Sequence, residues 1–234
     1  MKNQNEIDYC QYVKNENVIL KKSMFTIPIK DDNSPLISLS NEHPEFIFEP
    51  SFFQGYKYLV REEIVKKLHR INSILIDQSK ILVIRSAWRS YEHQKALRTN
   101  RYQFLSKLHN TKTKNQINAI VSYFIASETQ SMHATGGAVD ALIFDLNTGN
   151  ILDFGVNKGY NIDLGVKCYP YHPDISFYAK QNRKLLIELF EGEGFVVDLK
   201  EFWHFDYGNV AWAASKNLNS AMYGPIFDKV NLNE

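Results

Sequence analysis

Ala138-Val139-Asp140-Ala141-Leu142-Ile143-Phe144 is apolar but for one carboxylate and reads as a buried strand. Asp140 in the middle of such a run is expensive to bury as a charge unless something pairs with it. Outward from this strand, helical and extended patterns alternate. Ile64, Leu68, Ile71 and Leu75 recur at helical spacing, with Glu62, Lys66, Lys67 and Arg70 among the intervening positions, which predicts an amphipathic helix. Ile81-Leu82-Val83-Ile84 predicts a short buried strand ending at Arg85-Ser86-Ala87-Trp88-Arg89-Ser90, with a second helix starting near Tyr91 or Glu92. Residues 114–128 carry another helical face (Ile117, Ile120, Val121, Phe124, Ile125), and 182–191 a further one, stopped by Gly192 or Gly194. Phe195-Val196-Val197 and Trp203-His204-Phe205 read as two strands joined by a short turn. The expectation is an α+β fold: a mainly antiparallel sheet with helices packed on one side.

The stretch before the first strand, Ser131-Met132-His133-Ala134-Thr135-Gly136-Gly137, and the downstream Glu201-Phe202-Trp203-His204 add two imidazoles and a second carboxylate. Each residue taken singly is most often structural. Taken together, three ligand-type residues fall on predicted strands or strand ends. Gly136 and Gly137 permit a bend that returns His133 to Asp140. Two nitrogens and one oxygen suit a catalytic zinc ion with its fourth position left for water, so His133, Asp140 and His204 are candidate ligands, placing the zinc site at the sheet. On a regular strand Glu201 would face opposite to His204, so both address one centre only if the chain turns between them. Glu201 is therefore expected on a turn or strand end, as a spare carboxylate. The other histidines (His43, His69, His93, His109, His172) form no comparable arrangement and are assigned to the surface or to local hydrogen bonds.

Composition restricts the alternatives. Lys and Arg number 27 against 26 for Asp and Glu, a net charge of +1 with no basic run, which argues against a nucleic-acid or membrane-surface partner. Cys10 and Cys168 are too few for a disulfide framework and suggest a reducing compartment, although one bridge between them stays open. The start of the chain resembles no signal peptide, so the expected location, for the chain as given, is the cytoplasm. With no internal repeat, residues 1–234 are read as a single domain. It has an irregular N-terminal part (1–57) punctuated by Pro28, Pro35, Pro44 and Pro50, a catalytic core (58–207) and a C-terminal tail (208–234).

At these residues the chain resembles the D-Ala-D-Ala metallopeptidase family, whose signature is SxHxxGxAxD followed by ExxH. Ser131, His133, Gly136, Ala138 and Asp140 match, as do Glu201, Trp203 and His204. Leu82 to Ser90 is similar to the family's strand ending in an aromatic-Arg-Pro turn, with Ser90 in place of the proline. The resemblance covers about Tyr58 to Tyr207 and is strongest to the D-Ala-D-Ala dipeptidases of vancomycin resistance and peptidoglycan dipeptide scavenging. It implies one Zn2+ per chain on His133, Asp140 and His204, Glu201 as catalytic base, Arg89 stabilising the oxyanion, and Ser131 near the substrate. Arg85 is a lesser candidate for the arginine role, with a strand-end ion pair as its plain alternative. The family's ammonium-binding Asp is missing from Phe154-Gly155-Val156-Asn157-Lys158-Gly159, leaving Asp163 as the nearest substitute and Asp153 as another. A short peptide containing D-Ala is the implied substrate. The alternatives are a D,D- or L,D-carboxypeptidase or endopeptidase acting on longer peptidoglycan stems, and a zinc-binding module without catalysis.

Overall fold

The computed structural model describes residues 4–42, 45–156, 165 and 167–227. Its first element corrects the expectation of an irregular N-terminal part: Gln4–Met24 is a 21-residue helix, α1. Its buried stripe holds only Glu6, Cys10 and Val13, too narrow and too polar to register as a hydrophobic period. Tyr169 and Leu199 pack against Cys10 and Val13, and the Tyr171 N–H donates to the Tyr9 hydroxyl at 3.0 Å. Both cysteines are free thiols, and both are buried. No helix is long and apolar enough to cross a membrane among the described residues.

Two small strands, β1 (Leu36–Ser38) and β2 (Ile47–Phe48), flank the short helix α2 (Leu39–Glu42). β3 (Leu59–Arg61) pairs antiparallel with β1 and runs into α3 (Glu62–Ile76), whose Ile64, Leu68, Ile71 and Leu75 are fully buried. β4 (Lys80–Ser86) follows, then α4 (Tyr91–Leu108) and α5 (Lys114–Phe124). The Ser90 side chain caps α4 by accepting from the His93 N–H, and Thr113 and Gln116 form a capping box on α5. β5 (Ala138–Asp145), β6 (Asn150–Ile151), α6 (Phe177–Gly192), β7 (Val196–Val197), β8 (His204–Asp206) and α7 (Val210–Ser215) complete the order.

The main sheet runs β2-β4-β5-β8-β7, with β6 also on β5. It is mixed rather than mainly antiparallel, because β2 lies parallel to β4 while the ladders among β4 to β8 are antiparallel. The cause is the intervening helix α3, which carries the chain back so that β4 enters in the direction of β2. β2 is two residues long and falls in the span expected to be irregular, so no period announced it.

The helices are also divided between the two faces of the sheet instead of gathered on one. Phe190 of α6 stacks on Phe205 of β8, with ring centroids 3.9 Å apart, on the face that carries Val139 and Ile143. His204 and Asp140, which alternate with those residues, point to the opposite face and into a cavity walled in part by α1, α4 and α5.

Candidate metal centre

Asp140 and His204 are direct partners across the β5–β8 ladder, so their side chains leave the sheet side by side. His133 arrives from a 3₁₀ turn, Met132–Thr135, that ends at Gly136 with φ +70°. A side chain there would be strained by the left-handed backbone and would also collide with Leu36. The sharp return brings the His133 Nε2 to 3.1 Å from the His204 Nδ1 and 3.3 Å from the Asp140 Oδ1; the His204 Nδ1 lies 2.9 Å from the same oxygen. Three ligands 2.0–2.2 Å from a tetrahedral metal stand about 3.3 Å apart, so this triangle fits such an ion with little movement. These are the residues whose ligand atoms could hold a metal ion among those described.

Hydrogen bonds behind each ligand fix which atom faces inward. The His133 Nδ1 lies 2.7 Å from the Ala87 carbonyl, which keeps the proton there and leaves Nε2 as the free lone pair. His204 uses the other tautomer, with Nε2 3.2 Å from the Asp206 carboxylate, itself held by the Asn209 amide at 2.7 Å. Arg89 donates from Nη2 to the Asp140 Oδ2 at 2.6 Å, turning Oδ1 toward the imidazoles, and its Nε donates to the Ser86 hydroxyl at 2.8 Å. Ser86 reaches that position because β4 carries a bulge between Ile84 and Ser86. Asp206 is a supporting residue that motif reading missed. Its signal was plain alternation, since His204 and Asp206 stand two apart on one strand and share a face.

The charges favour a cation at this point. Burial pushes the Asp140 carboxyl up, but His133 and Arg89 outweigh it and hold it well below the usual carboxylate range. Burial and then the Arg89 charge lower His133 to about 4. In His204 burial works against the charged ring, yet Asp206 and Asp140 prevail and raise its pKa well above the ordinary value. Those carboxylates stabilise any positive charge shared by the cluster, whether proton or metal, and a metal ion would displace the proton.

Glu201 sits at the start of a turn whose His204 N–H bonds back to the Glu201 carbonyl at 3.1 Å, so the chain bends as the spacing required. Its carboxyl lines the same cavity as Ser131, Arg89 and the three imidazole and carboxylate ligands. Burial first, and the neighbouring Asp198 second, raise it to about 7. Of the other candidates, Arg85 takes the plain alternative, an ion pair with Glu49 at 2.7 Å. Asp153 caps its own loop by accepting from the Gly155 N–H and does not line the cavity; Asp163 lies outside the described residues, as does His43. His93, expected at the surface or in a local hydrogen bond, is buried instead, stacked on Phe53 at 4.5 Å. His172 is buried beside Glu6 at 3.6 Å.

Residues 47–221 match the peptidase M15 family, described as D-Ala-D-Ala dipeptidase. The D-alanyl-D-alanine dipeptidase of Escherichia coli (strain K12) is 35% identical over 89 residues, which cover 38% of this chain and 44% of that protein; the match thus spans less than half of the relative's length. Among solved structures, the vancomycin-resistance D,D-pentapeptidase VanY from the VanB-type cassette, a mutant in complex with Zn(II), aligns at 18% identity and TM-score 0.49, over 83% of this chain and 92% of that one. The LdcB LD-carboxypeptidase aligns at 17% identity and TM-score 0.45, over 80% of this chain and 76% of that one. From the sequence match over residues 47–221, in which every element of the metal cluster lies, the chain belongs to the D-Ala-D-Ala dipeptidase family, peptidase M15.

Proposed function

We propose that this chain is a zinc-dependent peptidase that hydrolyses D-alanyl-D-alanine or a related short peptide, with one Zn2+ per chain on His133, Asp140 and His204. The observation that carries this reading is the triangle of ligand atoms 2.9–3.3 Å on a side, opening on the same cavity as the raised Glu201 carboxyl. When bound, a zinc ion supplies Lewis-acid activation of water, bringing its pKa from 15.7 towards about 7. Glu201 accepts the proton of the attacking water and returns it to the departing amine, a task suited to a carboxyl titrating near neutrality. Arg89 steadies Asp140 and offers a fixed, permanently charged donor plane to the carbonyl oxygen as negative charge grows on it. The cavity, about 300 Å³, is at the small end for ligand sites, which favours a dipeptide over a long stem.

The test combines metal analysis with a peptide panel. Stoichiometric zinc with cleavage of D-Ala-D-Ala, and little cleavage of L-Ala-L-Ala or a stem pentapeptide, is the expected result. Preferential shortening of the pentapeptide would move the assignment to a carboxypeptidase. Zinc without any hydrolysis would leave a binding module.

Arg89→Ala is expected to reduce kcat by about 10²–10³-fold, the usual cost of one donor to a growing oxyanion. Because Arg89 also holds Asp140, metal affinity should fall by about 10- to 100-fold, so kcat is compared at saturating zinc. An unchanged kcat would remove Arg89 from the chemical step.

A further inference from the structure

Tyr56, on the loop between β2 and β3, belongs to no motif stretch and is absent from the cavity wall, yet its hydroxyl meets two supports of the metal centre at once. It accepts from the Ala87 N–H at 2.6 Å, and Ala87 is the residue whose carbonyl fixes the His133 Nδ1. It also lies 3.2 Å from the Ser86 hydroxyl, the group that receives the Arg89 Nε–H at 2.8 Å. With the amide already donating to it, the phenol has its own proton free for Ser86. Arg89 reaches Gln94 at a long 3.5 Å and Asp140 at 2.6 Å, so Ser86 and Asp140 are the two short contacts that fix the plane of the guanidinium.

The ring that carries this hydroxyl is clamped. Tyr58 and His93 pack against it edge-on, with centroids 4.8 and 4.6 Å away, and Tyr58 is itself tied to the Glu49 carbonyl. Burial, outweighing the Arg89 charge, raises the Tyr56 pKa, so the phenol keeps its proton. Burial and then Arg89 lower His93 to about 3, so the adjoining imidazole stays neutral and sets no second cation against the guanidinium. The buried His93 thus serves as an uncharged packing partner for Tyr56.

We propose that Tyr56 is a positioning residue: its hydroxyl holds the Arg89 guanidinium through Ser86 and the His133 imidazole through Ala87, in one hydrogen-bonded unit. This rests on the peptidase reading and extends it from residues that face the substrate to one that does not. A phenol at this place acts on kcat and on metal capture and leaves KM nearly alone, because it reaches the substrate through Arg89, whose contact strengthens as charge grows on the carbonyl oxygen.

The test compares wild type with Tyr56→Phe, which removes one oxygen atom and keeps the ring, and with Ser86→Ala, which cuts the same link from the other side. At saturating zinc, kcat for D-Ala-D-Ala is expected to fall by about 10-fold in each variant with KM changed little, and zinc affinity to fall by a similar factor in Tyr56→Phe. In an Arg89→Ala background, Tyr56→Phe should cost kcat nothing further, a result that a general loss of stability would not produce. Unchanged kcat or unchanged zinc affinity in Tyr56→Phe, or an equal loss of kcat with and without Arg89, overturns the proposal. Failure of the substrate assignment looks different: wild type leaves D-Ala-D-Ala intact. The Arg89 Nε–H resonance of the zinc-free protein then decides by NMR. Exchange with water about 10-fold faster or more in Tyr56→Phe upholds the positioning role, and an unaltered rate removes it.

Discussion

Glu201→Gln should bind zinc as the wild type does and turn over about 10²–10⁴-fold more slowly, the range by which positioned proton transfer accelerates such reactions. The substitution keeps the size of the side chain and removes its ability to take a proton. Because Glu201 lies on a turn before β8 and contributes no ligand atom to the triangle, metal content should be unaffected. The pH profile offers an independent reading. Burial and Asp198 raise this carboxyl to about 7, and only its ionised form can act as base. Wild-type kcat/KM should therefore fall as pH drops through or below that value, a bound cation drawing the midpoint lower. The Gln variant should lose this acid limb along with its rate. An active variant with the wild-type profile would transfer the proton-handling role elsewhere.

His204→Ala should fail in a different way, by losing the metal. It removes one corner of the triangle and leaves the buried Asp206 carboxylate without its imidazole. Changes to groups behind the ligands typically cost 10- to 100-fold in metal affinity, so loss of a ligand should cost at least about 100-fold. Dialysed protein is then expected to contain only background zinc. Thermal unfolding reads the same event without an activity assay. Zinc at 100 times its Kd stabilises the folded chain by about 2.7 kcal/mol, so wild type should melt higher with zinc and lower with a chelator. The variant should melt at one temperature in both. Normal zinc content in His204→Ala would withdraw its ligand assignment.

Most of the frame around this site was legible because its elements are long or strongly periodic. The apolar recurrences at Ile64–Leu75 and Leu185–Phe190 became α3 and α6, and Ala138–Phe144 became the central strand β5. The motif residues His133, Asp140 and His204 converge because a glycine turn and a cross-strand pairing, both readable as patterns, bring them together. What escaped has physical causes. Helix α1 buries a stripe with a glutamate in it, so no moment marked it, and its last turn could not be placed beside a cavity some 180 residues downstream in the chain. The parallel pairing of β2 depends on two residues with no room for a period. Asp206 was hidden differently, as an ordinary strand residue whose importance appears only once His204 has an orientation.

The direct opposition of Asp140 and His204 across two strands also ties metal capture to strand alignment. Sliding β8 by a single position along β5 would swing the imidazole to the far side of the sheet, among the phenyl rings, and leave the aspartate facing a residue of the wrong kind. A divalent ion that requires both groups would thus be retained only by chains that have zipped these strands correctly, making it a proofreader of the fold as well as a reagent.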